Sequence, residues 1–146
     1  MTQKDKELLL GDLCSRLPYF TKVQIKNEIV VLNSICDDDG YHFNFISDDR
    51  EGVNIEEIKP YLLPLSSITE EQAKELFNKF DLVCPSTEED YIKINECTGI
   101  TFFLSQGFDV ETHLYKLIDW LLKNHFDIYG LIPMGLAIDA TGLNIY

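Results

Sequence analysis

The sequence has no apolar run close to the roughly 20 residues that a membrane-spanning helix requires. Its opening stretch, MTQKDKELLL, is too polar for a secretory signal peptide, and its apolar run is too short. Proline and glycine are also few, at 5 and 8 residues, which excludes collagen-like and linker-like chains. From these absences we expect a soluble, cytoplasmic protein that contacts no membrane.

Sequence motifs for common chemistry are absent as well. The chain contains neither of the phosphate-binding patterns GxGxxG and GxxxxGK[ST], nor the hydrolase pattern GxSxG, nor the zinc pattern HExxH. Its four cysteines form no CxxC pair and stand at no zinc-ligand spacing. We therefore expect no cofactor and no metal, and we expect reduced, structural cysteines at Cys14, Cys36, Cys84 and Cys97.

Apolar residues make up 45% of the 146 positions, which suffices for one core and predicts a single domain over residues 1–146. Leucines recur every four residues over residues 3–17, with Cys14 on the same apolar side, so we predict an N-terminal helix that Pro18 ends. Capping patterns predict two further helices. One covers residues 70–80 and begins at a capping box formed by Thr69 and Gln72. The other begins after Asp109 and ends near Lys123.

Alternating apolar and polar residues predict the first and third strands, and a β-branched apolar run predicts the second. Together they form an antiparallel meander, curled like a small barrel. The turns between them are Lys26-Asn27, where asparagine tolerates positive φ, and Asp37–Gly40, where Asp-Gly favours a hairpin. We also predict a short fourth strand at Val53 and a second hairpin over residues 91–104. The fold class is therefore α+β, with strands over residues 19–26, 28–36 and 41–46.

Negative charge is the extreme feature of the composition, with 25 Asp and Glu against 12 Lys and Arg and a net charge of −13. Residues 27–111 alone carry 19 acidic and five basic groups. This charge disfavours direct binding to nucleic acid or to an anionic membrane, and it favours a basic protein partner. Acidic groups also keep small proteins soluble, which is the simpler explanation. The candidate partner-binding residues lie in predicted turns: Asp37, Asp38, Asp39, Asp48, Asp49, Glu51, Glu88, Glu89 and Asp90.

Catalytic candidates are few. His113 or His125 could serve as a base or a metal ligand, and Cys84 or Cys97 could serve as a nucleophile beside His113. Helix capping and solvation explain these residues without chemistry, and we favour that explanation. The apolar residues near the C-terminal end could form an interface, but a core position is the more common one for such residues. This C-terminal apolar set comprises Trp120, Phe126, Tyr129, Leu131, Ile132 and Met134.

Three stretches together resemble a family of small acidic proteins encoded in prophages and mobile elements of gut bacteria. They are KELLLGDLCSRLPY (6–19), IEEIKPYLLPLSSITEEQ (55–72) and LIDWLLKNHFDIYGLIPMGLAIDA (117–140). The family pattern has a basic residue where Leu63 stands, and Asn124 and Ile128 also depart from it. The resemblance implies a cytoplasmic location in a bacterium or its phage, and it implies that these stretches form framework. It carries no activity and no catalytic residue.

These features favour a non-enzymatic accessory protein of phage or mobile-element type, which binds a protein partner through its acidic surface. An alternative is an acidic mimic of nucleic acid that inhibits a DNA- or RNA-binding protein, which requires carboxylates spaced like phosphates. A third hypothesis is a small hydrolase that uses histidine and cysteine.

Overall fold

The computed structural model describes residues 1–37, 40–46, 48, 50–79 and 110–146. The chain divides into two compact units, one formed by residues 1–63 with 129–146 and the other by residues 64–128. Each unit is described by itself, and the single domain over residues 1–146 stays a prediction. The second hairpin predicted over residues 91–104 lies outside the described residues.

A mixed five-stranded sheet forms the centre of the first unit, and with the helices it confirms the α+β class. Strands β1 to β3 form the predicted antiparallel meander. Strand β4 pairs antiparallel with the edge of β1 that faces away from β2, and β5 runs parallel to β4. The order is β3-β2-β1-β4-β5, and the predicted barrel does not close. The bounds are β1 Lys22–Ile25, β2 Glu28–Asp37, β3 Tyr41–Phe45, β4 Ile58–Leu62 and β5 Ile138–Asp139.

The N-terminal helix, α1, covers Gln3–Arg16. A capping box begins it: the Asp5 N–H donates to the Thr2 hydroxyl, and the Thr2 N–H donates to the Asp5 carboxylate. These bonds hold the pKa of Asp5 below its ordinary value. A short 3-10 turn over Leu17–Tyr19 follows, with Pro18 in its first turn, and Phe20 then adopts a left-handed backbone with φ 54°. For this reason β1 begins at Lys22 rather than at the predicted residue 19.

The buried face of α1 differs from the predicted leucine stripe. It contains Leu9 and Leu13 as expected, but Asp12 and Arg16 complete it. Cys14, predicted on the apolar side, is exposed, and Cys36 is exposed on β2. The prediction of structural burial is therefore wrong for these two cysteines, because an ion pair occupies the helix face that the apolar pattern assigned to a thiol.

Tight turns join the strands of the meander. Between β1 and β2 the left-handed residue is Lys26, with φ 55°, and not the predicted Asn27. Gly40 takes φ 125° before β3, a conformation that glycine adopts without strain. The fourth strand lies at β4 and not at the predicted Val53. Pro60 is tolerated within β4 because it pairs with Val23 at a position where β1 directs its own hydrogen-bonding groups toward β2.

The second unit contains α2, Glu70–Lys79, and α3, Val110–Lys123, as the capping patterns predicted. At the start of α2 the Gln72 N–H donates to the Thr69 hydroxyl, while the Thr69 N–H donates to the Gln72 side chain. After α3, His125 takes φ 60°, and the next N–H, from Phe126, donates to the Leu121 carbonyl at 2.9 Å. This pattern is a Schellman motif with histidine at the usual glycine position.

The apolar core of the first unit lies between α1, the sheet and the C-terminal segment. Among the described helices, none has the length and apolar character to cross a bilayer. The fully or nearly fully buried core residues are Leu9, Leu13, Val23, Ile25, Leu32, Phe43, Phe45, Ile58, Leu62, Leu131, Leu136 and Ala137.

Candidate functional site

An open groove of about 530 Å³ runs beside the first half of β2, within the first unit. The side chains of Ile29 and Ile46 border it and are 53% and 42% exposed. These two isoleucines give the groove an exposed apolar part beside its charged groups. The groove is lined by Glu28, Ile29, Val30, Val31, Ile46, Asp48 and Arg50.

The groove exists because β3 accompanies only the second half of β2. Among the described residues, the last hydrogen bond between the two sides of the β2–β3 hairpin joins the Ile46 N–H to the Val31 carbonyl at 2.9 Å. The same register would next place Asp48 opposite Ile29, but Asp48 instead forms a bridge with Phe45. In the part of the chain that the structure describes, the edge of β2 before Val31 therefore faces the groove and not another strand.

An ion-pair cluster fixes the end of the groove. The Arg50 guanidinium donates to the Glu28 carboxylate at 2.5 Å and to the Asp48 carboxylate at 2.7–2.9 Å, and the Arg50 N–H also donates to Asp48 at 3.0 Å. These bonds hold the pKa of Asp48 below its ordinary value and raise the pKa of Arg50. One cation is shared by two carboxylates, so the cluster keeps a net negative charge. The Glu28 side chain remains 69% exposed, which leaves it open to a partner.

Among the predicted acidic residues that the structure describes, only Asp48 lines the groove. Asp37 lies opposite Tyr41 at the tip of the hairpin, whereas Asp48 lies beyond Phe45 at the other end, about 13 Å away along the strand. Glu51 is exposed just after the ion-pair cluster. Outside the described residues lie Asp38, Asp39, Asp49, Glu88, Glu89 and Asp90.

Histidine and cysteine have structural explanations where the structure describes them. His125 occupies the left-handed position that ends α3, and His113 lies within α3. Partial burial raises the pKa of the Cys14 thiol, which lowers its reactivity. Cys84 and Cys97 lie outside the described residues. Within the residues that are described, no three histidine, cysteine, aspartate or glutamate side chains gather as metal ligands would. The hydrolase hypothesis stays a prediction.

The C-terminal apolar set divides into core and surface. Trp120 and Phe126 are buried in the second unit and stack with ring centroids 5.7 Å apart, and Leu131 is buried in the first unit. Tyr129 and Met134, in contrast, are 45% and 48% exposed. Core burial is therefore the correct prediction for part of the set, and Ile132 packs against the core while partly exposed.

A buried ion pair in α1 is the main feature that the sequence patterns missed. The Arg16 guanidinium donates to the Asp12 carboxylate at 2.7 Å, and both side chains are 0% exposed. Thr21, also fully buried, donates its hydroxyl to the Arg16 carbonyl at 3.4 Å. The i,i+4 spacing of opposite charges is the signal that could have found the pair. Such spacing usually marks an exposed helix face, and here it marks a buried one.

A second missed feature is the hydroxyl of Tyr146, which joins β1 to β4 where their pairing stops. It accepts from the Lys22 N–H at 3.2 Å and donates to the Tyr61 carbonyl at 2.8 Å. Burial of this group raises the pKa of Tyr146 to about 12, although the residue as a whole is 48% exposed. The Lys22 ammonium donates to the Ile145 carbonyl and lies 5.7 Å from the centre of the Tyr146 ring. The hydroxyl thus takes the place of a strand-to-strand bond.

Comparison with known proteins identifies no relative of the chain: no protein-family model, no curated protein and no solved structure matches it.

Proposed function

We propose that this chain is a non-enzymatic interaction protein that binds a basic segment of a protein partner in the groove beside β2. One observation carries the proposal: the groove combines exposed isoleucines with a fixed cluster of charges that is net negative. Apolar contacts supply affinity at such surfaces, while charges select the partner and accelerate its approach. The resemblance to mobile-element proteins is compatible with an accessory role of this kind in the cytoplasm.

The charge of the whole chain supports a basic partner. At −13, the protein repels nucleic acid and other acidic surfaces, including those of a second copy of itself. Glu28, with its side chain 69% exposed, can approach a cation without first leaving a buried site. Asp37 and Glu51, both exposed, extend the negative field along the hairpin. No specific arrangement of the described carboxylates favours the alternative of a nucleic-acid mimic.

A peptide titration tests the proposal. The probe is a capped, fluorescent heptapeptide with the sequence Ser-Lys-Val-Thr-Val-Lys-Ser. The control peptide has glutamate in place of both lysines. We expect the lysine peptide to bind and the glutamate peptide to bind at least tenfold more weakly. Binding of the lysine peptide should also weaken as salt rises toward ~1 M, since exposed charges are then screened.

Two variants locate the surface. Ile46→Ser, inside the groove, should weaken binding of the lysine peptide at least fivefold. Leu143→Ser is the matched control, because Leu143 is 51% exposed in the same unit but does not line the groove. Equal affinity for the lysine and glutamate peptides, or equal losses in the two variants, would contradict the proposed function. Stoichiometric zinc or iron in the purified protein would instead favour the hydrolase hypothesis.

A further inference from the structure

The backbone of β2 presents hydrogen-bonding groups to the groove. In an antiparallel pair, residues alternate between those that bond to the partner strand and those that point away. The Leu32 N–H donates to the Thr21 carbonyl at 3.0 Å, so Leu32 belongs to the set that bonds toward β1. Two and four residues earlier, Val30 and Glu28 belong to the same set. The N–H and carbonyl of Ile29 must therefore point away from β1, toward the groove.

An independent bond supports this assignment. The Val31 carbonyl accepts from the Ile46 N–H, so Val31, like Ile29, directs its backbone away from β1. The Val31 N–H and both backbone groups of Ile29 then form a short row along the groove. Because Asp48 turns aside to Phe45, no described residue continues the strand opposite Ile29. Among the described residues, the groove is consequently the open edge of a strand, bordered by exposed isoleucines and by the ion-pair cluster.

We propose that the partner binds by strand addition: an extended, lysine- or arginine-containing segment pairs with Ile29 as a further strand beside β2. This inference rests on the proposed function and specifies how the same groove recognises its partner. Main-chain bonds to Ile29 supply the register, and alternate side chains of the segment contact Ile29 and Ile46. A cationic side chain lies near Glu28, whose carboxylate is exposed. The stretch Glu28–Val31 spans about 10 Å, which is the length of about four extended residues.

Charge and the fold together favour this occupant over others. A second copy of the chain carries the same net charge of −13, so its approach to the acidic groove is repelled and a symmetric edge-to-edge dimer is disfavoured. Unprotected strand edges normally attract other chains and are commonly shielded by charge. Here the shielding charges are mainly negative, so they repel acidic segments and admit basic ones.

The test uses the same lysine heptapeptide and compares it with an analogue N-methylated on its three central residues. N-methylation removes the amide hydrogens that strand pairing requires and keeps both lysines. We expect the analogue to bind at least tenfold more weakly to the unmodified protein. We also expect the Ile29 amide resonance to show the largest shift, and reduced hydrogen exchange, in the complex with the parent peptide.

Two substitutions at one position separate the side chain from the backbone. Ile29→Ala keeps the N–H and removes the exposed side chain, whereas Ile29→Pro removes both. Because the Ile29 N–H makes no hydrogen bond to β1, the proline variant keeps the hydrogen bonds between β1 and β2. Circular dichroism verifies that the variant is folded. Strand addition predicts that Ile29→Pro weakens peptide binding at least tenfold more than Ile29→Ala.

The outcomes distinguish the two proposals. If the lysine peptide binds but N-methylation has no effect and the Ile29 variants are equal, strand addition is wrong and the interaction function stands. If the lysine peptide binds no better than the glutamate peptide, the proposed function itself is wrong. A dimer that forms at the concentrations used, and dissociates on Ile29→Pro, would overturn the choice of a basic segment in favour of a second copy.

Discussion

Removing one partner of the Asp12–Arg16 pair should destabilise the protein far more than removing an exposed ion pair. Both side chains are 0% exposed and lie 2.7 Å apart in α1. Substitution Arg16→Met leaves the Asp12 carboxylate fully buried and without the cation that it pairs with. Breaking buried pairs in this way costs about 3–5 kcal/mol in the free energy of unfolding. That is a large part of the roughly 5–15 kcal/mol that stabilises an ordinary domain.

Two controls make the interpretation specific. Lys6 and Glu56 are 2.8 Å apart, but their side chains are 34% and 46% exposed, so Lys6→Met should produce no measurable change. The double variant Asp12→Leu with Arg16→Met replaces the buried pair by apolar groups of similar size. Its stability should lie near that of the unmodified protein, since neither desolvated charge remains.

Urea unfolding, followed through the amide resonances of β1, measures the free energy of unfolding in the first unit. The reasoning is refuted if Arg16→Met costs less than about 1 kcal/mol, which is the range of exposed pairs. It is also refuted if the double variant is as unstable as Arg16→Met, because the loss would then come from packing and not from an unpaired buried charge.

Three further predictions concern single groups. Tyr146→Phe should lower the free energy of unfolding by about 1–3 kcal/mol in urea titrations, whereas Tyr129→Phe at an exposed site should not. Because the pKa of Tyr146 is raised to about 12, its contribution is complete below pH 10 and is lost as pH rises toward 12, which ultraviolet titration and unfolding at alkaline pH will show. The pKa of Asp48, measured by NMR, should lie below its ordinary value, and Arg50→Gln should return the pKa toward normal. The ion pair therefore stabilises the fold fully above the ordinary pKa, and this stabilisation is lost as pH falls through the lowered pKa of the folded protein. Cys14 should react with a disulfide reagent more slowly in the folded protein than in urea, because its pKa is raised by burial.

Local patterns predicted the elements that local interactions specify. The capping box at Thr69 and the periodic residues after it define α2, a β-branched apolar run defines β2 within a residue, and alternation defines β3 within a residue. Where a prediction was wrong at a boundary, as at the start of β1, the cause was a left-handed residue, Phe20, which no short-range pattern indicates. Secondary structure of this kind depends on residues close together in the sequence, so local sequence patterns can predict it.

Features that depend on distant neighbours were not visible. Tyr146 bonds to the backbone of Lys22 and Tyr61, more than 80 positions away, and no periodicity connects them. The burial of Asp12 has the same origin, because its helix face is decided by the sheet it packs against. The acidic composition predicted a partner-binding acidic surface, which stays a prediction. It could not show that Glu28, unremarkable in the sequence, would share Arg50 with Asp48 beside a groove that exposed isoleucines border.

The same cluster accounts for both the end of the hairpin and the opening of the groove. Continued pairing would place Asp48 opposite Ile29 as a strand residue, and aspartate is depleted in strands. Asp48 instead bonds to Arg50 and turns back to Phe45, so the charge remains paired near the surface and the strand edge stays open. Substitution Asp48→Val removes the reason to turn aside and favours continued pairing with β2. We therefore expect this variant to protect the Ile29 amide from hydrogen exchange in the free protein and to lose peptide binding.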